Sequence, residues 1–92
     1  MAGVAGRVAL VTGAGAPGGI GFATARVLAA AGARVAITST TPRIFDRARS
    51  LGSGVYASTA DLRRPEEVAR LVAETEVALG SVDILVNNAG MV

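Results

Sequence analysis

The sequence predicts an α/β fold, a doubly wound parallel sheet of strand order 3-2-1-4 with helices on both faces. Three observations carry this expectation. Short apolar runs alternate with longer stretches of helical periodicity in the order βαβαβαβ. The first run is continuously apolar, as a strand buried on both faces requires. A glycine-rich loop stands at the first crossover, where strand order reverses in such sheets and ligands bind. Right-handed crossovers then distribute the helices over the two faces.

Val8-Ala9-Leu10-Val11 is the first strand, running into Thr12-Gly13. After the glycine-rich loop, Gly19 to Ala31 reads as a helix. Ile20, Ala23, Val27, Leu28 and Ala31 recur at helical spacing, and Gly32 sits where a C′ glycine belongs. Val35-Ala36-Ile37 is the second strand. Thr41 and Pro42 make an N-cap and N1 pair; Ile44, Phe45, Ala48 and Leu51 form one face of the helix that follows, and Gly52 ends it. Val55-Tyr56-Ala57 is a shorter third strand leading to Asp61. Pro65-Glu66-Glu67 opens the third helix, its acids set against the positive end of the helix dipole. Val68, Leu71, Val72, Thr75 and Leu79 line the buried side of that helix, and Gly80 stops it. Val82 to Val86 is the fourth strand, running into Asn87-Asn88-Ala89-Gly90. Four strands are few for a doubly wound sheet, so the chain reads as the first half of a larger domain and is expected to be a fragment or a truncated reading frame.

A length of 92 residues leaves room for one domain at most. Hydrophobic residues at 51% and charged residues at 17% exclude a disordered tail. Aromatics at 3% leave Val, Leu, Ile and Ala to build the core. The net charge is +2 and every basic residue is Arg, which accounts for a pI near 10.5 without a basic patch. A nucleic-acid partner is therefore not expected. With no Lys, His or Cys, these residues cannot supply a disulfide, a thiolate, a cysteine or histidine metal site, a histidine base or a lysine nucleophile. The start carries no charged segment followed by an apolar one. The longest apolar run, Val27 to Ala31, is five residues, against the roughly 20 needed to span a bilayer. The expectation is a cytoplasmic protein with no membrane partner.

The loop from Gly13 to Gly21 joins strand to helix. Such a loop needs glycine for a tight turn, for close backbone approach to a phosphate, and for close packing of helix on strand. The helix N-terminus offers free N–H groups and a positive dipole to a pyrophosphate. Gly13, Gly15 and Gly18 satisfy G-x-G-x-x-G literally, whereas Gly13, Gly19 and Gly21 satisfy a longer reading that leads directly into the helical pattern. The second alignment is favoured. A P-loop is excluded because it requires lysine. A methyl-donor-binding fold ordinarily has an acid at the end of the second strand, and none stands there.

Thr12-Gly13 with Gly19-Ile20-Gly21, Asp61-Leu62 after the third strand, and Asn87-Asn88-Ala89-Gly90 after the fourth resemble the short-chain dehydrogenase/reductase superfamily. The resemblance runs from about Gly6 to Val92. The segment Val82 to Gly90 is particularly similar to 3-oxoacyl-[acyl-carrier-protein] reductases. The resemblance implies a Rossmann-type fold, with residues 1–92 forming the N-terminal cofactor-binding part of a single NAD(P)-binding domain. It implies that Gly13, Gly19, Ile20 and Gly21 hold the cofactor pyrophosphate, that Asp61 takes the adenine amino group with Leu62 beside the ring, and that Asn88, Ala89 and Gly90 line the cofactor ribose.

Two departures from the family pattern stand out. The loop holds five residues between Gly13 and Gly19, where three are common. The family's catalytic Ser, Tyr-x₃-Lys and helix-borne Asn fall downstream of the Asn-Asn-Ala-Gly motif, so no catalytic residue is assigned here. The single tyrosine, Tyr56, is followed four residues on by Ala60 rather than Lys. The full-length parent is expected to be an NADP-dependent oxidoreductase passing a hydride between nicotinamide and a carbonyl or alcohol carbon, with a 3-oxoacyl thioester one candidate substrate and a homo-oligomeric state. A non-catalytic dinucleotide-binding module or a truncated gene product are the alternatives. NADP is expected over NAD because the second strand ends Thr38-Ser39-Thr40-Thr41 with no acid before Asp46, and an acid at that place is what selects NAD. Thr40 and Arg43 are the candidate contacts to a 2′-phosphate.

Overall fold

The computed structural model describes residues 2–88. A 3-10 turn at Ala2–Val4 leads into β1 (Val8–Val11), α1 (Ile20–Ala30), β2 (Arg34–Ser39), α2 (Ile44–Leu51), β3 (Tyr56–Thr59), α3 (Pro65–Leu79) and β4 (Ile84–Val86). The four strands form one sheet of order β3-β2-β1-β4, and every pairing is parallel. Leu10 lies opposite Ala36 on one side and Leu85 on the other.

Side chains of β1 alternate between two apolar layers. Ala9 and Val11, with Val35 and Ile37 of β2, meet Ala25 and Leu28 of α1 and Ile44 and Ala48 of α2. Val8, Leu10 and Ala36 face the other way, onto Leu71 and Leu79 of α3. All four β1 residues are buried, as the unbroken apolar run predicts for a central strand. The β4 strand is covered on one side only: Ile84 and Val86 pack into the α1 layer, while Leu85 is 61% exposed on the α3 side.

The β3 strand runs Tyr56–Thr59 rather than Val55 to Ala57, and Val68 of α3, expected on the buried side, is exposed because it lies in the first helical turn, before the stripe of Leu71, Thr75 and Leu79 that meets the sheet. Three further differences concern α1, α2 and β4. The buried stripe of α1 is Gly21, Phe22, Ala25 and Leu28, whereas Ile20 and Val27 are exposed. A helix that reads Ile-Gly-Phe-Ala-Thr-Ala-Arg-Val-Leu-Ala-Ala is apolar almost all round, so periodicity alone does not choose its face. The sheet selects the side on which Gly21 permits the closest approach. The second difference is at α2, which begins at Ile44, later than a Thr41-Pro42 cap implies. Thr41 and Pro42 instead form a tight turn in which their carbonyls accept from the Ile44 and Phe45 amides at 3.2 and 3.0 Å, and the Ser39 hydroxyl accepts from the Thr41 amide at 3.4 Å. Third, β4 loses Val82 and Asp83. The Asp83 carboxylate turns back to accept from the Val8 amide, and the Asp83 amide donates to the Val8 carbonyl, both at 2.9 Å.

Candidate cofactor cleft at the strand ends

The carboxyl ends of β1, β2 and β3 open into one cleft of about 600 Å³, placed where the strand order reverses. Of the residues singled out from sequence, Gly13, Thr40, Arg43, Asp61, Leu62 and Asn88 line it. Gly19, Ile20 and Gly21 are not on its wall. Ala89 and Gly90 lie outside the described residues.

The cleft floor is the glycine loop. Gly13 leaves β1 at φ +66, a conformation that glycine adopts without a Cβ penalty. A Cβ on Gly15 would come within 2.9 Å of the Ser39 Cβ and Oγ and within 3.2 Å of the Arg43 Nε. A Cβ on Gly21 would stand 2.6 Å from the Gly13 carbonyl oxygen and 2.9 Å from the Asn88 Nδ2. Gly18 has open space on that side. The loop thus draws on both glycine alignments: Gly15 serves close backbone approach, and Gly21 serves helix-on-strand packing. Gly19 is the N-cap of α1 in extended conformation, with no side-chain cap and no acid in the first turn. The positive end of the helix dipole is left uncompensated there.

The far wall joins the ends of β1 and β4. The Asn88 side-chain amide donates to the Gly13 carbonyl at 3.2 Å, and the Asn88 backbone amide donates to the Thr12 hydroxyl at 2.9 Å. The Thr12 hydroxyl in turn faces the Val86 carbonyl at 3.4 Å and the Asn87 Oδ1 at 3.3 Å. Across the sheet, the buried Thr38 hydroxyl donates to the Ser58 carbonyl at 2.7 Å, fixing β2 against β3 below the cleft.

Charge is distributed unevenly along the rim. The Arg63 guanidinium donates to both carboxylate oxygens of Asp61 at 3.0 Å, and the Arg63 amide adds a third bond at 3.1 Å. Those side-chain bonds first, and the backbone bond next, hold the Asp61 carboxyl well below its ordinary 3.8, at about 2. Arg43 lies over Gly15 and forms no ion pair among the described residues. The rim therefore offers one paired carboxylate and one uncompensated guanidinium, with no acid at the end of β2.

Among the wall residues that sequence reasoning missed are Gly15, Ser39 and Arg63. Gly15 stands in the literal glycine alignment, which was the available signal; Arg63 had none beyond its nearness to Asp61. No group of three or more carboxylate, His or Cys residues that could hold a metal occurs among the described residues. Among those residues, no helix is long and apolar enough to cross a membrane.

Comparison with known proteins agrees with this geometry. Over 87 residues the chain is 48% identical to nodulation protein G of Rhizobium sp. (strain N33), covering 94% of this chain and 35% of that protein. Among solved structures, an actinorhodin polyketide ketoreductase with NADPH matches at 38% identity and a TM-score of 0.86, covering 92% of this chain and 33% of the other. The L-sorbose reductase of Gluconobacter frateurii, complexed with NADPH and L-sorbose, matches at 36% identity and a TM-score of 0.87, covering 96% and 35%. The chain thus spans about a third of the length of these relatives. The family profile described as short chain dehydrogenase matches residues 7–92. With the profile running through nearly all of its residues, the parallel sheet and its glycine loop included, the chain belongs to the short chain dehydrogenase family.

Proposed function

We propose that this chain forms the adenosine and pyrophosphate half of an NADP(H) site, residues 1–92 being the N-terminal part of one nucleotide-binding domain. The parent protein would be an oxidoreductase that exchanges a hydride between nicotinamide and a carbonyl or alcohol carbon of a small molecule, a 3-oxoacyl thioester among the candidates. The observation that carries the NADP reading is the end of β2. There Thr40 and Arg43 line the cleft, Arg43 forms no ion pair among the described residues, the Ser39 hydroxyl donates to the Thr41 carbonyl at 3.0 Å, and no carboxylate stands at the strand end to repel a 2′-phosphate.

The fit can be judged on the residues themselves. Gly15 lets the loop pack against Ser39 and Arg43, which a side chain there would prevent, and the uncapped start of α1 at Gly19, Ile20 and Gly21 suits an anion. In this reading Gly13 and the α1 start hold the pyrophosphate, and Asp61 accepts from the adenine amino group with Leu62 beside the ring. Asn88 keeps the β4 loop against Gly13, with Ala89 and Gly90 assigned to the ribose by family resemblance. The cofactor, when bound, supplies the hydride chemistry. These residues contain no proton donor of the Tyr-x₃-Lys type, and Tyr56 is engaged with Glu74 at 3.0 Å. Turnover is thus assigned to the complete gene product, and the 92-residue chain alone is expected to show none. A cytoplasmic, homo-oligomeric parent without nucleic-acid or membrane partners completes the reading.

The test compares kcat/KM for NADPH and NADH in the complete gene product, before and after Ser39→Asp. The expected result is an NADPH preference that falls by ~10-fold or more, equivalent to about 1.4 kcal/mol, once a carboxylate faces the 2′-phosphate. A wild type that prefers NADH, or an unchanged ratio in the variant, would overturn it. Tight NADPH binding with no turnover of any carbonyl substrate would favour a non-catalytic dinucleotide-binding module.

A further inference from the structure

Behind the cleft, on the α3 side of the sheet, one arginine collects four acceptors. Arg70 Nη2 donates to the Thr59 carbonyl at 2.7 Å and to Glu67 Oε1 at 3.0 Å. Arg70 Nη1 donates to Glu74 Oε1 at 3.0 Å and to the Ser58 hydroxyl at 3.3 Å. Glu74 Oε1 also accepts from the Tyr56 hydroxyl at 3.0 Å and the Ser58 hydroxyl at 3.2 Å. Arg70 is only half-buried, yet such a convergence fixes its planar guanidinium, which cannot satisfy this set of acceptors in a second orientation.

The position of these acceptors matters more than their number. Thr59 is the last residue of β3, and Asp61 follows two residues later. Glu67 Oε1, the oxygen that Arg70 holds, itself accepts from the Asp61 backbone amide at 3.3 Å. A single nitrogen of Arg70 therefore fixes the strand end directly and the Asp61 amide through Glu67. The residue between them, Ala60, is buried and tied to the other side of the cleft through its amide, which donates to the Ser39 carbonyl at 3.0 Å. Arg63, by contrast, is bonded to the Asp61 carboxylate from the exposed side, and its side-chain hydrogen bonds reach no other residue among those described.

We propose that Arg70 is a positioning residue for cofactor binding: with Glu67 it sets the height and direction from which Asp61 meets the adenine. The inference rests on the assignment of Asp61 to the adenine. It adds a device outside the cleft, since neither Arg70 nor Glu67 lines the wall. Arg70→Ala would leave the Thr59 carbonyl and Glu67 without their shared donor, and the Asp61 backbone would relax towards solvent. Affinity for ligands that carry adenine should fall, while affinity for the nicotinamide half should not.

The test measures dissociation constants in the complete gene product for NADPH and for reduced nicotinamide mononucleotide, which lacks the adenosine. Arg70→Ala should weaken NADPH by ~10-fold and leave the mononucleotide within about twofold, with Arg70→Lys recovering part of the loss. Glu67→Ala, in the half-buried first turn of α3, should weaken NADPH in the same direction by ~3-fold and carries the test should Arg70→Ala not fold. In an Asp61→Ala background, which should itself lose ~10-fold or more, the effect of either change should shrink to less than about twofold. Equal weakening of both ligands, or full additivity with Asp61→Ala, would make Arg70 a merely structural residue and overturn the proposal. If Asp61→Ala binds NADPH normally, the adenine assignment itself is wrong and the proposal falls with it. If Asp61→Ala is weak while Arg70→Ala and Glu67→Ala bind normally, only the positioning role fails.

Discussion

Gly15 and Ser39 approach so closely that a Cβ on the glycine would sit 2.9 Å from both the Cβ and the Oγ of the serine. The contact joins the loop after β1 to the end of β2, and the Arg43 Nε lies 3.2 Å from the same point. The loop proposed to hold the pyrophosphate and the strand end proposed to select the cofactor are thereby built against each other. Rotation can move the Ser39 Oγ and Arg43, but only the backbone can move the Ser39 Cβ, so Gly15→Ala should push the end of β2 and the loop apart. The expected outcome is a loss of NADPH affinity by ~10-fold with NADH affinity changed less, because the 2′-phosphate contacts move first. Titration of both dinucleotides against the variant checks it; an equal loss for the two would place the damage at the pyrophosphate instead.

Gly21 is a matter of stability rather than selectivity. Its hypothetical Cβ meets the Gly13 carbonyl oxygen at 2.6 Å and Asn88 Nδ2 at 2.9 Å. Neither neighbour yields easily, because Gly13 is backbone at the end of a buried strand and Asn88 is bonded to it. Gly21→Ala gains helix propensity of up to about 1 kcal/mol but incurs overpacking of about 1–3 kcal/mol. Overpacking should win. Denaturant unfolding should show a lower midpoint for Gly21→Ala, whereas Gly18→Ala, with nothing within 4 Å, should be near neutral.

The Asp61–Arg63 pair makes a pH prediction. Asp61 is held down at about 2 chiefly by hydrogen bonds from the Arg63 side chain. A depressed folded-state pKa contributes stability above the unfolded value of 3.8 and loses it as pH falls towards 2. A carbon-detected NMR titration should therefore place the Asp61 midpoint near 2, and Arg63→Ala should move it up towards 3.8. The stability difference between wild type and variant should be fully present at neutral pH and vanish at the acid end. A variant with an unmoved midpoint would show that Arg63 is not the cause. Above pH 5 the carboxylate stays ionised in both proteins, so cofactor affinity should be flat there for this group.

What was legible in the sequence follows from where the determining contacts lie. The parallel sheet and its order were readable because apolar runs, crossover helices and a glycine loop are local patterns, and β1 is buried by its own composition. Asp61, singled out through the family resemblance, stands on the cleft wall. The buried stripe of α1 was not, because Ile20 and Val27 are as apolar as Phe22 and Leu28, and only the approach of the sheet at Gly21 decides between them. Gly15 and Ser39 join the cleft through tertiary approach between segments distant in the chain, and Arg63 joins it through a side-chain conformation, folded back on Asp61, that no sequence pattern marks. Arg70 reads as an ordinary helix-surface base, and only its bond to the Thr59 carbonyl shows where it acts.

Thr12 offers the sharpest test of how the floor of the cleft is held. It is 3% exposed, and its hydroxyl accepts from the Asn88 backbone amide at 2.9 Å while facing the Val86 carbonyl and Asn87 Oδ1. Thr12→Val keeps the volume but removes both the acceptor and the donor, leaving the Asn88 amide without this acceptor beside a buried residue. An unsatisfied buried group costs about 1–3 kcal/mol; Asn88 is half-buried, so the loss lies toward the lower part of that range, with the hydrogen bond that the buried Thr12 hydroxyl makes lost as well. Thr12→Ser retains the oxygen and gives up one methyl group, for about 0.8 kcal/mol by area. The expected order of stability is therefore wild type, then Ser, then Val, although Val is the better isostere. Cofactor affinity should follow the same order, because Asn88 is also the donor that secures the Gly13 carbonyl at 3.2 Å. Chemical denaturation and an NADPH titration on the three proteins measure both quantities. A valine variant as stable as the serine variant would show that shape, and not the hydroxyl, joins β1 to β4.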